Sequence, residues 1–504
     1  MMWRLCTLGF VSVSLFSCAV SNSQFSVSKK YSPQELEKDF HVYRTLLEEL
    51  HPGLYWYTPQ DSMNMYFEEV KQQLTDSLTE LEFRKLLTYV TSKMHCGHTT
   101  VRSSRRYARY ADTARSRVFP LSVKAWAPDT VVVTSNLNRR DSLVRRGVLL
   151  HRVNGVPVPQ LVAAFFQYIS SDGNNLTHKY QSISNRGTFG GLHRLLYGAS
   201  AAYQVEFSDE SGVRKTLSIP AYDPTTDTAG RAALTAARRL PTPSRRERRE
   251  RRLNSVRQLR IDTLNQTAFL DLTSFGRGYR LKRFYRETFR RLKEDKLPYL
   301  VIDLRSNGGG SVTNSTSLSR YIASKPFKVA DSLYAIRKRG SYNEYIQYDF
   351  WNRIFITLFA RRRKDGKYHF GYFERHHFRP RKKNHYDGKV YVLTGGNSFS
   401  ASTLFVSSVR GQQNVRLVGE ETGGAAYGNT AWLIPDVTLP KTKIRFRLPL
   451  FRLVIDRDLP KNGQGVQPDV TVGPTVEAIR SNKDFKMEAV LKLIRNERNG
   501  VRPQ

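Results

Sequence analysis

Two turns rich in glycine and serine hold the residues of this chain best placed to do chemistry. The run Leu393-Thr394-Gly395-Gly396-Asn397-Ser398-Phe399-Ser400-Ala401-Ser402 follows an apolar β-pattern (Val390, Tyr391, Val392, Leu393) and precedes a helical one (Ala401, Leu404, Phe405). A serine on such a sharp turn at a helix start has an accessible Oγ, and the amide after it can serve an oxyanion. Upstream, Leu300-Val301-Ile302-Asp303-Leu304-Arg305-Ser306-Asn307-Gly308-Gly309-Gly310 is a second strand running into a glycine turn. Either turn alone is weak evidence. Together, in this order, they read as a serine hydrolase, and a serine hydroxyl needs a base to take its proton.

These turns need elements to present them. Ser32-Pro33-Gln34-Glu35 is a capping box that opens an apolar stripe of Leu36, Phe40, Tyr43, Leu47 and Leu50, stopped by His51-Pro52-Gly53. Thr58-Pro59 starts a second helix with Met63, Phe67, Val70 and Leu74. Thr79-Glu80-Leu81-Glu82 caps a third, with Phe83, Leu86, Val90 and Met94 inward and a predicted stop at Gly97. His98 then sits on the exit from a packed helical unit.

From about 117 to 221 the pattern turns to strands, among them Val131-Val132-Val133 and Tyr203-Gln204-Val205-Glu206-Phe207. Residues 147–158, with Asn154-Gly155 at their centre, resemble the strand and turn of a PDZ-like module; a plain Asn-Gly hairpin is the competing reading. Residues 245–252, Arg-Arg-Glu-Arg-Arg-Glu-Arg-Arg, make a charged linker or exposed helix. Strand, glycine turn and helix then alternate from Ala268 to Gly424, the sign of an α/β layer, interrupted by an insertion at 326–387 rich in Tyr, Phe, Arg and His. The expected organisation is a signal peptide at 1–23, a helical domain at 24–112, a β module at 113–222, a basic linker at 223–260, an α/β domain at 261–482 and a C-terminal helix and tail at 483–504.

A chain of 504 residues exceeds what one core supports, so two to four domains are expected. The net charge of +37 invites a nucleic-acid reading. The chain has no zinc-finger spacing, helix-turn-helix signal or RNP-like strand, so no nucleic-acid partner is expected. The charge reads instead as a solvated basic surface, attraction to anionic lipid or polysaccharide, or a preference for acidic peptides. Arg4 and the apolar run at 8–15, too short to span a bilayer, look like an export signal. Leu15-Phe16-Ser17-Cys18 resembles a bacterial lipobox, whose cysteine would be acylated and anchor the chain in a membrane; cleavage near 21–24 is the other route. The expected location is therefore the periplasm, the outer membrane as a lipoprotein, or the exterior. Cys96 is the one cysteine beyond this signal, which leaves no internal disulfide. His95-x-x-His98 with Cys96, and His376-His377, lack the ligand count and spacing of a catalytic zinc set, so neither metal nor organic cofactor is expected.

Four ordered motifs resemble carboxyl-terminal processing proteases and their tricorn-core branch. They are Asp303-Leu304-Arg305-x-Asn307-Gly308-Gly309, Ser400-Ala401, Val418-Gly419-Glu420-Glu421-Thr422-Gly423-Gly424, and Gly465-Val466-Gln467-Pro468-Asp469. The helical start, with His51-Pro52-Gly53 and Gly97-His98-Thr99, is similar to exported bacterial members. The resemblance implies a crotonase-like α/β fold and a serine-type endopeptidase acting on peptides or proteins through an acyl-enzyme. Ser400 would be the nucleophile, with Ser398 and Ser402 bonding within the turn. The amides of Ala401 and of Gly308 or Gly309 would form the oxyanion hole. The lysine used by the tail-processing branch is replaced by Ala425, whereas the histidine of the tricorn-like branch falls on His98, which the resemblance makes the general base. A helix-end histidine capping carbonyls is the plainer alternative. The third member departs from the pattern: the orienting serine falls on Gly97, and Lys461-Asn462-Gly463-Gln464 stands where a glutamate would precede the last motif. Asp456, Asp458, Asn462 and Thr99 are left open as substitutes. A catalytically inactive lipid- or peptide-binding protein on the same fold is the alternative function. Oligomeric state is not legible in the sequence.

Overall fold

Strict alternation along the central strands builds the sheet that carries both turns. In the computed structural model, which describes residues 25–113, 116–228, 232, 235–236 and 241–500, six strands pair in one sheet. Their order is Arg257–Asp262, Thr267–Leu272, Tyr299–Asp303, Lys389–Thr394, Val415–Gly419, Val470–Thr471; the first pair is antiparallel and the rest parallel. Leu270, Leu300, Ile302, Val390 and Val392 share one core with the helices Leu281–Glu294, Val312–Ile322 and Ala401–Val409. Phe269, Val301, Tyr391, Leu393 and Val418 pack on the other face against Val490 and Ile494 of the helix Phe485–Arg498. A one-residue slip would send each set into the opposite core, where the side chains no longer fit the space left for them, so the register is fixed. That register sets Asp303 opposite Leu393, with Leu304 N donating to Leu393 O at 3.1 Å. The two turns therefore leave neighbouring parallel strands at the same edge, where α/β sheets place their ligands.

The helices Pro33–Leu50 and Glu80–Lys93 both form the capping boxes read from Ser32/Glu35 and Thr79/Glu82. The third helix ends at Lys93, before the expected stop at Gly97, because His95 turns left-handed (φ +50°) and its Nδ1 sits 3.0 Å from Gly173 O. Residues 94–99 thus form a loop. The helices share their core with two smaller sheets: Phe40, Tyr43, Phe67 and Phe83 belong to one cluster with Leu333 and Phe451 of a five-stranded sheet and Val437 and Phe446 of a three-stranded one. The insertion joins the five-stranded sheet through Ser332–Ala335, which pairs with Phe451–Val454. Just after the His98 loop, Val101–Arg102 pairs with Arg445–Arg447, and Asp39 accepts the amides of Lys441 and Thr442 at 2.8 and 2.7 Å.

Between these units lies an antiparallel sheet of Leu121–Trp126, Thr130–Asn136, Leu149–Val153, Ala202–Ser208 and Arg214–Pro220. Leu149–Val153 turns back into Val156–Pro157 through Asn154 and Gly155, both at positive φ, as the Asn-Gly pair predicts. The basic run forms the helix Arg245–Asn254, with only Leu253 buried. The expected signal at 1–23 and Cys18 lie outside the described residues. No helix among the described residues is long and apolar enough to cross a membrane.

Candidate active site

Ser400 occupies a backbone conformation that non-glycine residues rarely adopt, φ +57° and ψ −117°, immediately before the helix Ala401–Val409. Such a conformation costs of order 1–3 kcal/mol and persists only where its surroundings enforce it. Asn307 enforces it from the glycine turn. Its side chain is fully buried: Oδ1 accepts Gly309 N at 3.0 Å and Nδ2 donates to Leu272 O at 3.1 Å. Its carbonyl accepts Phe399 N at 3.1 Å and Ser402 Oγ at 2.8 Å, so one residue ties both turns together. Ser398 Oγ donates to Leu304 O at 2.8 Å. Both neighbouring serines are thus committed, while the Ser400 hydroxyl makes no hydrogen bond among the described residues. Gly309 (φ +97°) lies so close that an added Cβ would stand 2.7 Å from Ser400 Cβ. Its amide is used by Asn307; those of Gly308 and Ala401 have no partner among the described residues.

His98 is buried, and neither ring nitrogen finds a hydrogen-bond partner among the described residues. Its ring packs 4.7 Å from that of Phe399, the residue before Ser400, and His178 stacks on the same phenyl ring at 4.9 Å. Gly97 makes room for this stack, since a Cβ there would meet Phe399 Cζ at 2.5 Å. Burial, then the charge of Arg447, holds the imidazole down at about 3, so it is neutral at pH 7 and, in this arrangement, a weak base whose protonated form needs a stabilising partner.

The carboxylate set against His98 is Asp172, with Oδ1 3.9 Å from Nδ1. That separation exceeds a hydrogen bond, and with His98 neutral it is not an ion pair. Burial pushes Asp172 up to about 6, opposed by the Gly97 amide, which donates to Oδ1 at 2.9 Å. Sequence reasoning missed this residue. Its only signal is the polar run Ser170-Ser171-Asp172-Gly173-Asn174-Asn175 between apolar helices. The run is wedged into the site: Asn175 Nδ2 donates to Thr422 O at 2.8 Å, and His178 Nδ1 lies 2.8 Å from Gly396 O.

The other candidates are engaged elsewhere. Asp456 pairs with Arg410 at 3.0 Å, Asp458 is exposed, and Asn462 Nδ2 donates to Gln464 Oε1 at 3.0 Å. Their loop nevertheless passes Asp172, since a Cβ on Gly463 would lie 3.0 Å from Asp172 O. Thr99 Oγ1 is 2.8 Å from His51 Nε2. Because Gly53 N donates to His51 Nδ1, His51 carries its proton on Nε2 and donates it to Thr99. Burial pushes the Cys96 thiol up to about 11, which keeps it protonated and non-nucleophilic. Among the described residues no three His, Cys, Asp or Glu side chains converge as a metal site would require.

A cleft of about 960 Å³ opens beside Ser400, lined by Arg277, Phe355, Trp432, Arg447 and Leu453 among others, with no carboxylate in its wall. Residues 266–472, which hold both turns, match the model of peptidase family S41. The α/β unit belongs to this family. The wider chain resembles solved structures in fold. Mature CPAF complexed with lactacystin aligns at a TM-score of 0.64 and 14% identity, over 92% of this chain and 98% of that one. Mature CPAF aligns at 0.62 and 14% over the same shares. The photosystem II D1 C-terminal processing protease aligns at 0.41 and 12%, over 89% of this chain and 97% of that one. No curated protein sequence matches the chain.

Proposed function

We propose that the peptidase is a serine endopeptidase on a crotonase-like fold, with Ser400 as nucleophile and His98 as general base. The observation that carries this reading is the enforced backbone of Ser400, which frees one hydroxyl beside two unpartnered amides while both neighbouring serines are committed. Ser400 Oγ attacks the scissile carbonyl, and His98 takes its proton and returns it to the leaving amine. The amides of Ala401 and Gly308 receive the oxyanion, and water then releases the acyl group. Asp172 orients His98, a carboxylate from the β module in place of the glutamate missing at 461–464. His98 stacks on Phe399 in the free enzyme, so a shift of Phe399 with substrate bound brings imidazole to hydroxyl. The β module is read as PDZ-like, taking a peptide end by strand addition.

The same stacking of His98 favours a second reading, an inactive binder on this scaffold. Labelling with a fluorophosphonate separates the two. Wild type is expected to react, Ser400→Ala not at all, and His98→Ala to lose about 10⁴-fold or more in peptide hydrolysis. A wild-type protein inert to both probe and peptides would leave the binder standing.

A further inference from the structure

The Ser400 cleft is walled on one side by the helix Asp349–Phe359, whose Phe355 lines it. The outer face of that helix inverts the pattern of a surface helix. Phe350, Trp351 and Leu358 are 59%, 65% and 68% exposed. Ile354 lies midway between Phe350 and Leu358 at helical spacing, so the four form one apolar stripe toward solvent. Phe359, 55% exposed, extends the patch through the Phe370 ring to Tyr372, which is 52% exposed.

The patch has a basic rim. Arg361, Arg362 and Lys364 follow the helix directly and are exposed. Between 337 and 383 the chain carries fourteen Lys and Arg against four Asp and Glu. Aromatic and aliphatic side chains bordered by cations match the interface of a bilayer with anionic headgroups. A second copy fits less well, since a two-fold contact through this face would bring its cationic rims together. We propose that the helix Asp349–Phe359 docks the protein on an anionic membrane surface, inserting Phe350, Trp351, Ile354 and Leu358 among the headgroups. This contact is separate from any acyl group on Cys18. It would hold the cleft beside membrane-bound polypeptides, a consequence that rests on the peptidase reading; the docking itself does not.

The test uses the full chain carrying Cys18→Ser, so that no acyl group supplies affinity. It is sedimented with phosphatidylcholine vesicles, with and without phosphatidylserine, at low and high salt. Expected are binding at least about tenfold tighter to the anionic vesicles, weakening in high salt, and loss of about tenfold or more in Trp351→Ser/Leu358→Ser. Fluorophosphonate labelling in solution should be unchanged in that variant, which separates failure of docking from failure of the catalytic reading. Arg361→Ser/Arg362→Ser leaves the apolar stripe intact, and it should weaken anionic binding and decides the matter if the first variant misfolds. Absence of binding to either vesicle overturns the proposal, as does equal binding by both folded variants. Light scattering that finds a dimer dispersed by Trp351→Ser/Leu358→Ser, without vesicle binding, overturns it in favour of a second copy.

Discussion

Replacing Gly309 with alanine tests whether the glycine turn is what shapes the proposed nucleophile, Ser400. The new Cβ would stand 2.7 Å from Phe399 O, 2.7 Å from Ser400 Cβ and 2.9 Å from Ala401 N, where ordinary contact begins at 3.4 Å. The turns must part, and the groups that resist are backbone and a short side chain, not a flexible tip. Alanine at φ +97° adds about 1–2 kcal/mol of conformational cost, and overpacking adds about 1–3 kcal/mol. Displacing Ser400 and the Ala401 amide by an appreciable fraction of an ångström should lower kcat/KM by about 10²-fold. Hydrolysis of a fluorogenic peptide gives the rate, and circular dichroism with a thermal melt confirms folding. Gly308→Ala is the control for stability: nothing lies within 4 Å of its added Cβ, and its melt should match wild type. A folded Gly309→Ala enzyme with kcat/KM within about threefold of wild type would refute the argument that this contact positions Ser400.

Asp172→Asn should lower kcat by up to about 10⁴-fold. Because burial pushes Asp172 up to about 6, wild-type activity should rise with pH through that value as the carboxylate ionises, and the variant's pH–rate profile should lack this limb. Arg447→Met should cut the preference for a glutamate over a glutamine peptide by about 10–100-fold, measured as a kcat/KM ratio, because a charge-assisted hydrogen bond is worth about 1.5–3 kcal/mol. Lys486 is buried and bonds Glu420 at 2.6 Å and Thr394 O at 2.9 Å, so Lys486→Met should cost about 3–5 kcal/mol by leaving Glu420 unpaired, read from the urea midpoint.

The parts of the site that follow local rules were legible before any coordinates. Both capping boxes and the strands flanking each turn depend on residues close in sequence, where spacing carries the information; the hydroxyls of Ser398 and Ser402 instead donate across to Leu304 O and Asn307 O of the other turn, not within their own turn as expected. Asn307 stood in a quoted motif, yet its role as a tie needed the register of two strands to become visible. Asp172 was hidden more deeply. It reaches His98 because the loop 171–175 is clamped between His95 and Thr422, contacts made across long stretches of chain with no periodic trace. The insertion at 326–387 read as an interruption for the same reason, since the partner of Ser332–Ala335 is encoded at Phe451–Val454. The outward stripe on Asp349–Phe359 has ordinary helical periodicity, which by itself reads as a face turned toward the core.

The pairing of Val101–Arg102 with Arg445–Arg447 also bears on when the molecule can become active. At a synthesis rate of ~5–20 residues per second, the earlier strand waits roughly 20–70 s for its mate to leave the ribosome. Until then the loop that carries His98 has a scaffold only half built, so the pair proposed above, His98 and Ser400, is not yet assembled on the nascent polypeptide. On the proposed reading, a hydrolase wired this way stays harmless to the machinery that makes it.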